Sequence, residues 1–296
     1  MKNLFILFCI FFIIPVCTQA QEMESPVNTL AAYAIQDTTQ GWKHSGIAGI
    51  TFGQTSLNNW MAGGDNTLSG NFILNASANY LKDKWFWDNN LSLEYGMIYS
   101  SAYDWQKAAD KINFKSIAGR NFSNKWSASF LVNFYTQFAK GYKYPEAEQY
   151  ISAFMAPAYA DAALGFTYKP NANYNLFISP VAERAILVLN DSLSNLDLGV
   201  FGVETGKKVK WETGFYLMAS ANQTVAGNLS IISSLDLFTP YNKNFGNVNV
   251  NWNLLLNYKL NKLLTATLNT TLRYYDAEIR KVQFKEILGL GLTYTF

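Results

Sequence analysis

Few side chains in this sequence are suited to catalysis or to metal binding. His44 is the single histidine, and both cysteines, Cys9 and Cys17, lie within the first 20 residues. A hydrolase needs a nucleophile and a base within hydrogen-bonding reach, whereas His44 stands alone at the start of the first predicted strand. Carboxylates such as Glu94 and Asp161 could do acid–base chemistry, but nothing in their spacing brings them together. The residue types argue against an enzyme, and no metal or other cofactor is expected.

A second candidate for chemistry is the stretch Gly63-Gly64-Asp65-Asn66, which has the composition of a turn or of a phosphate-binding loop. A phosphate loop follows a buried strand and opens a helix, and neither pattern is present, so a turn is favoured. The surrounding segment 53–66 is rich in glycine and asparagine but contains apolar side chains. It could fold into a pore as a gate or ligand contact, or pack on a rim. Its candidate residues are Leu57, Asn59, Trp60, Met61, Gly63 and Gly64.

The N-terminal residues have the pattern of an export signal. Lys2 precedes an apolar stretch from Leu4 to Val16, and Thr18-Gln19-Ala20 provides small residues for cleavage. We predict a signal peptide at 1–20 and a short periplasmic segment at 21–43. Acylation of Cys17 is the less favoured alternative, because the residues before it are not small. No later stretch approaches the roughly 18 consecutive apolar residues of a membrane helix, so any membrane span must be built from strands.

The composition is unusual for a soluble domain. Charged residues make up 15% of the chain and hydrophobic residues 49%, whereas about 25% of an ordinary soluble domain is charged. The net charge is only +2. No basic surface for nucleic acid is expected from so small an excess.

From about residue 44 onward, apolar residues recur at every second position, which is the period of a β-strand. The segments 66–80, 85–99 and 247–259 have the clearest alternation. In the last of these, Trp252 and Leu254 share one face, while a row of asparagines occupies the other. Such strands suit either a soluble sandwich or a membrane barrel. The barrel is favoured because several segments exceed the 9 to 11 residues that cross a bilayer and have aromatic residues near their ends.

We therefore predict an all-β fold, a transmembrane antiparallel up-and-down β-barrel over residues 44–296. The number of strands follows from the connections, because short turns lie on the periplasmic side and long loops outside. We predict short turns near 83, 124, 171 and 261 and long loops at 100–110, 139–156 and 276–282. Strand directions counted forward from the first turns and backward from a periplasmic C-terminus agree only if one more strand lies between 173 and 206. The candidate for this strand is 184–189. The count is then about 14 strands, or 12 if that segment and another weak one, such as 44–53, are loops.

The predicted polar face consists mainly of Asn, Ser, Thr and Gly, with charges of both signs. No single sign dominates, as it would in a strongly ion-selective pore, so these groups are expected to pair or to be hydrated. The candidate lumen charges are Glu94, Lys111, Lys115, Asp161, Glu212, Asp236, Lys259, Arg273 and Lys285.

The last residues form one more alternating strand that ends in an aromatic residue. Leu288, Leu290 and Leu292 share a face with Phe296 at the C-terminus. This ending resembles the C-terminal signature that the barrel-assembly machinery recognises in outer-membrane proteins. Two partners are therefore expected, the lipid of the outer membrane and that machinery.

Several short motifs resemble an uncharacterised family of outer-membrane barrels from Bacteroidota, the domain-of-unknown-function family numbered 3078. The resemblance spans about 41–296 and implies the outer membrane of a Gram-negative bacterium, with no established solute or active site. The motifs are Gly41-Trp42-Lys43, Asn59-Trp60 with Gly63-Gly64, Thr136-Gln137-Phe138, Tyr142 with Tyr144-Pro145, Phe154 with Ala156-Pro157-Ala158-Tyr159, Tyr168-Lys169-Pro170, Ser179-Pro180, Leu235-Asp236-Leu237-Phe238, Tyr275-Asp276 and Gln283-Phe284-Lys285-Glu286.

The functional expectation that follows is a channel or passive transporter for small solutes. The alternative is a non-conducting barrel that serves as a scaffold or anchor for an envelope complex. Small polar residues on the inner face favour the channel, whereas bulky residues there would favour the scaffold.

Overall fold

The structure is a computed structural model that describes residues 40–57, 65–143, 149–171, 173–196, 199–226, 228–241, 245–261, 264–276 and 279–295. The predicted signal peptide, most of the predicted periplasmic segment, the candidate residues Asn59 to Gly64 and the terminal Phe296 lie outside these ranges.

The alternating segments of the sequence form long strands, with one short helix in the second half of the chain. In order, the elements are β1 (Gly41–Thr55), β2 (Thr67–Lys82), β3 (Trp85–Ser100), β4 (Asp104–Asn121), β5 (Trp126–Thr136), β6 (Gly141–Tyr142), β7 (Tyr150–Ser152), β8 (Ala158–Asn171), β9 (Tyr174–Leu187), α1 (Asp191–Ser194), β10 (Val209–Ala226), β11 (Leu229–Pro240), β12 (Asn249–Lys259), β13 (Leu264–Tyr275) and β14 (Ile279–Thr295).

Among the described residues, twelve antiparallel strands close into a barrel, while β6 and β7 form a separate two-stranded sheet. The predicted antiparallel barrel is confirmed, with the lower of the two strand counts. Of the two segments that were in doubt, 44–53 is strand, and 184–189 is strand as far as Leu187, where it continues a single strand from Tyr174. The count of about 14 was too high because the strands of the ring are 11 to 18 residues long and the two longest connections add none to it.

Two predicted boundaries also change. β1 begins at Gly41, inside the predicted periplasmic segment, because Gly41 and Trp42 pair with Leu81 and Tyr80 of β2. The predicted loop 100–110 is mostly strand, since β4 begins at Asp104.

Alternate side chains point into and out of the barrel, and the outward ones are large and apolar. Phe114, Phe130, Leu164 and Leu290 are 39%, 46%, 63% and 61% exposed. A soluble monomer rarely leaves so extensive an apolar surface in water. This outer face suits contact with lipid chains.

Aromatic side chains ring both ends of this apolar band. At one end, the ring of Trp42 lies 5.2 Å from that of Tyr80 and 5.6 Å from that of Trp87. At the other end, Tyr99 lies 5.5 Å from Trp105. Trp87 and Tyr99 are both on β3, and their separation along a tilted strand corresponds to about 30 Å on the barrel axis. That height is close to the apolar band of membrane barrels.

The two ends of the barrel differ. Tight turns join β2 to β3, β4 to β5, β8 to β9, β10 to β11 and β12 to β13 at one end, which we call the turn end. At the opposite end, the connections between β5 and β8 and between β9 and β10 fold together into a cap, described over 149–157, 188–196 and 199–206. The Leu189 amide donates to the Met155 carbonyl at 2.9 Å and so joins the two connections.

The cap is ordered by hydrogen bonds and by its own apolar core. The Asn190 side chain caps helix α1 by accepting from the Leu193 amide at 3.1 Å, and the Tyr150 hydroxyl donates to the same oxygen at 3.2 Å. Hydrogen bonds with Ser192 and Asn190 lower the pKa of Tyr150 below its ordinary value. Ala153, Ala156, Leu193 and Val203 pack with Tyr159 and Ile186 from the barrel wall.

The seam between the first and last strands is short. β1 and β14 pair from Ile47 with Thr295 to Ile50 with Leu292, whereas β1 and β2 pair from Gly41 with Leu81 to Thr55 with Thr67. In the described part of the chain, the half of this seam nearer the cap therefore lacks ladder pairing.

Candidate functional site

The twelve strands enclose the barrel interior, whose two halves are filled differently. Along β3, β4, β5 and β8 to β11, large apolar side chains point inward and are buried. They form a packed core of Phe86, Ile117, Leu131, Ala163, Phe177, Ala182, Tyr216, Met218 and Phe238. The prediction of an inner face of mainly Asn, Ser, Thr and Gly did not include this apolar cluster, although the same strands also direct buried polar side chains such as Asn90, Ser92 and Ser129 inward.

Several side chains cross the interior and contact the opposite wall. The Lys115 ammonium of β4 lies 3.4 Å from the Asp236 carboxylate of β11. The rings of Tyr159 on β8 and Tyr275 on β13 are 5.8 Å apart. In the order of the ring, each of these strand pairs is separated by five places out of twelve, so these contacts span nearly the full width. They close much of the packed half.

The remaining wall, formed by the inner faces of β12, β13, β14, β1 and β2, has mostly small or polar side chains, with Ile73 and Leu255 as buried apolar residues among them, and we call it the open wall. Several of its inward residues stay partly exposed inside the barrel. They include Asn251, Asn253, Thr267, Thr271, Gly289 and Gly291. Gly291 also allows a close approach, since a Cβ there would lie 2.7 Å from Thr51.

Each predicted lumen acid lies on the inner face beside a basic group. Glu94 lies 3.9 Å from Lys111, and Glu212 lies 2.7 Å from Lys210. Burying a charge is costly unless an opposite charge compensates it, which explains why the acids occur in pairs with bases. The other pairs are Asp161 with Arg184 at 2.6 Å, Asp236 with Lys115 at 3.4 Å and Asp88 with Lys169 at 3.2 Å.

The Asp161–Arg184 pair is the most enclosed of these. Arg184 donates through Nε and Nη2 to the two carboxylate oxygens, at 2.6 and 3.3 Å. The Asn133 amide donates to the same carboxylate at 3.1 Å, and the guanidinium lies 4.3 Å from the centre of the Phe238 ring. This geometry fixes the wall directly below the cap.

Arg273 lies among tyrosines under the cap. Its guanidinium is 4.1 Å from the Tyr275 ring, 5.9 Å from that of Tyr135 and 6.0 Å from that of Tyr159. Tyr135 is on β5, directly opposite β13 in the ring. These residues form a cationic, aromatic layer between the cap and the rest of the interior.

At the turn end, the interior widens into a cavity of about 600 Å³, which we call the vestibule. Phe86 lies on its inner side, and its ring also contacts the Lys169 ammonium at 4.8 Å. Most of its wall consists of inward-facing residues near strand ends, such as Lys43, Ser45 and Asn79. Its size is typical of a small-molecule site.

The remaining sequence candidates are spread around the barrel. Lys259 lies at the turn end of β12 and is exposed. The backbone of Lys285 pairs with Thr271, but its side chain lies outside the described set. Leu57 follows β1, and its amide donates to the Asn66 side chain at 2.6 Å; the other candidate gate residues are not among the described ones. His44 lies at the rim of the vestibule on β1, with its ring 6.1 Å from that of Trp42.

The described residues contain neither a metal-binding cluster nor a membrane-spanning helix. No group of three or more His, Cys, Asp or Glu residues in this part of the chain could hold a metal ion. Within the same ranges, no helix is long and apolar enough to cross a membrane.

Sequence reasoning missed part of the inner face. Arg184, Lys210, Lys169 and Asp88 were absent from the predicted lumen charges. The position of Arg184 could have been found by counting residues from the turn between β8 and β9, because the register of this hairpin places Arg184 opposite Asp161. Register shifts on both strands, between Leu164 and Phe166 and near Pro180, obscured that alternation.

Comparison with protein families gives one match. The model of the family described as "Protein of unknown function (DUF3078)" matches residues 52–142. The match supports the resemblance over this part of the chain, from the end of β1 to β6, whereas the motifs after residue 142 lie outside it. Comparison with the curated proteins gives no match.

Among solved structures, the similarities are broad but weak. An outer-membrane channel from Pseudomonas putida F1 is 12% identical with a TM-score of 0.41, covering 92% of this chain and 98% of that one. The NanC porin is 9% identical with a TM-score of 0.41, covering 84% and 98%. The translocator domain of the autotransporter NalP from Neisseria meningitidis is 9% identical with a TM-score of 0.37, covering 88% and 90%. Similarity this low transfers neither solute nor mechanism.

Proposed function

We propose that the protein spans the outer membrane of a Gram-negative bacterium and conducts small solutes along one side of its lumen. The uneven filling of the interior carries this proposal. Large side chains pack on β3 to β11, whereas the open wall presents Asn, Thr and Gly that remain partly exposed. A barrel built only as an anchor would gain stability from larger apolar side chains along that wall.

The proposed location rests on the outer face. A closed barrel leaves no strand edge unpaired across most of its circumference, and exposed apolar side chains cover it between two aromatic rings. The turn end would face the periplasm and the cap the exterior, as in barrels with short periplasmic turns and long outer loops. The family resemblance adds a Bacteroidota cell as the expected host.

In this arrangement the cap restricts access from outside. It packs on the inward-facing Tyr159 and Ile186 and reaches toward Tyr275 on the opposite side. Solutes would enter beside the cap, near the part of the β1–β14 seam that lacks ladder pairing, and leave through the vestibule.

Conductance of the purified protein in a planar bilayer tests the proposal. A narrow path beside a packed core predicts discrete steps smaller than those of wide, water-filled porins. Replacing Thr267 and Thr271 by Leu should reduce them, because both side chains line the open wall. A matched control is the replacement of Leu268 by Ile on the lipid-facing side of the same strand, which should leave the steps unchanged.

A non-conducting scaffold is the second candidate, favoured by the contacts that cross the lumen between Lys115 and Asp236 and between Tyr159 and Tyr275. Reproducible absence of conductance from correctly folded protein would favour this candidate over the channel. In either case, the barrel-assembly machinery is the proposed partner of the C-terminal strand.

A further inference from the structure

The ladder between β1 and β14 is short and leaves two facing stretches of backbone outside it. β1 pairs with β14 from Ile47 to Ile50, although both strands continue toward the cap. If the same register continued, 51–55 would lie opposite 287–291. Both stretches are strand and pair on their other sides with β2 and β13, but within the described strands no ladder joins them to each other. We call these two stretches the open edges of the seam.

The open edges belong to the lipid-facing part of the wall. The outward side chains on them, Phe52 and Leu290, are 77% and 61% exposed. An unpaired strand edge is costly in hydrocarbon, where no water satisfies its amide and carbonyl groups, and it is tolerated where it borders a water-filled cavity. Along this stretch, β1 and β14 can separate without breaking ladder hydrogen bonds between them.

The inner side of the open edges has little side-chain volume. Gly53 of β1 and Gly289 of β14 have no side chains there. Among the described groups, a Cβ at Gly53 would come within 4 Å of only the Ser69 hydroxyl of β2, at 2.7 Å. A Cβ at Gly289 would likewise meet only the Thr267 hydroxyl of β13, at 3.5 Å. Neither Cβ would meet the strand across the seam, so the gap between the open edges is not filled by these positions.

The gap adjoins the less filled side of the interior, because β14 and β1 are both part of the open wall. Ile73 of β2 adds an apolar surface beside it. This side chain is 4% exposed, and a Cβ at Gly49 would lie 3.0 Å from it. A molecule in this part of the lumen would therefore have small polar groups and one apolar side chain beside it, with hydrocarbon on the far side of the gap.

From these observations we infer that the β1–β14 seam parts laterally and lets small, uncharged, mostly apolar molecules pass between the lumen and the hydrocarbon of the membrane. The inference rests on the proposed channel, to which it adds a second exit and a class of solute. Apolar molecules gain free energy on leaving water for hydrocarbon, so they can leave the lumen sideways. Charged solutes cannot, because an unpaired charge in an apolar medium is costly, and they leave through the vestibule.

Uptake of the uncharged dye N-phenylnaphthylamine tests the lateral exit. This dye fluoresces strongly in hydrocarbon, and an intact outer membrane largely excludes it. Cells of a Gram-negative host that contain the protein should take up the dye faster than cells without it. In the variant Gly53→Cys with Gly289→Cys, an oxidant-driven disulfide across the seam should abolish the increase, and reduction of the disulfide should restore it.

The matched control keeps one cysteine and moves the other to the opposite side of β1. Gly53 pairs with Ser69 of β2, so a disulfide in Gly53→Cys with Ser69→Cys leaves the seam free, and dye uptake should stay fast. Gly289→Leu narrows the gap without a cross-link and should also slow the uptake. In a planar bilayer, both disulfide variants should keep the conductance of the unmodified protein, because ions leave through the vestibule.

Each outcome has a distinct meaning. The lateral exit is refuted, with the channel intact, if a conducting barrel does not speed dye uptake, or if both the Gly53–Gly289 disulfide and Gly289→Leu leave the uptake unchanged. Absence of conductance refutes the proposed channel, whereas dye uptake that the disulfide still blocks supports the lateral exit. A disulfide-linked dimer on a non-reducing gel would show that the open edges pair between two copies, which would also overturn the inference.

Discussion

Loss of the Asp161 carboxylate should destabilise the barrel far more than loss of an exposed acid in an equally short ion pair. The side chains of Arg184 and Asp161 are 6% and 4% exposed, and their atoms approach to 2.6 Å. Lys207 and Glu204 also approach to 2.6 Å, but both side chains are 66% exposed. The two pairs therefore match in distance and differ mainly in burial.

Asp161→Leu leaves the Arg184 guanidinium buried without its bidentate acceptor. Breaking a buried ion pair in this way costs about 3–5 kcal/mol, whereas an exposed pair contributes about 1 kcal/mol or less. Glu204→Ala should therefore lower the free energy of unfolding by no more than about 1 kcal/mol. The double variant Asp161→Leu with Arg184→Met removes both charges of this pair, and most of the loss should be recovered.

Guanidinium unfolding in detergent micelles, followed by the fluorescence of the eight tryptophans, measures these differences. The reasoning fails if Asp161→Leu costs no more than Glu204→Ala. It also fails if the double variant is as unstable as Asp161→Leu alone, since the cost would then come from packing rather than from the uncompensated charge.

Three further predictions concern the wall, the loop after β1 and the seam. Gly165→Ala should destabilise the barrel by about 1–3 kcal/mol, because the new Cβ would lie 2.1 Å from the Ile178 carbonyl oxygen; thermal unfolding measures it. Deleting 54–65 should raise the single-channel conductance, if this loop restricts the pore. Cysteines at Ile50 and Leu292, which pair across the seam, should form a disulfide that is visible on a non-reducing gel.

Each of these predictions has an internal comparison. Gly289→Ala should be tolerated, because its Cβ would meet only the Thr267 hydroxyl at 3.5 Å, and equal losses at both glycines would contradict the steric argument. An unchanged conductance after the deletion would remove the gate hypothesis. Cysteines at Phe52 and Leu290, beyond the paired part of the seam, should cross-link much more slowly; equal rates would show that the ladder continues.

The fold was largely accessible from the sequence because strand periodicity is local. The segment 247–259 illustrates this: Asn251 and Asn253 do point inward, and Trp252 and Leu254 outward. The strand count was less accessible, since parity gives an even number but cannot show that 174–187 is one strand or that the two long connections form a cap.

The candidate site was only partly predictable. Alternation puts Glu94 and Asp236 on the inner face, but it cannot show which base lies beside each acid. Asp236 meets Lys115, a residue more than one hundred positions away, and that contact exists only because the barrel closes. The packed core was missed for a related reason: Ile117 and Leu131 occupy inward positions of mostly polar strands, so they resemble breaks in the pattern.

The sequence by itself determined that the chain forms alternating strands with one apolar face, because side-chain direction in a strand reverses at every residue whatever lies around it. The tertiary structure alone decided which side of the interior is filled, where the cap closes the end and where the seam between the first and last strands lacks pairing. These properties depend on strands that are distant in the chain, and their side chains meet only when closure fixes the diameter and the register of the barrel.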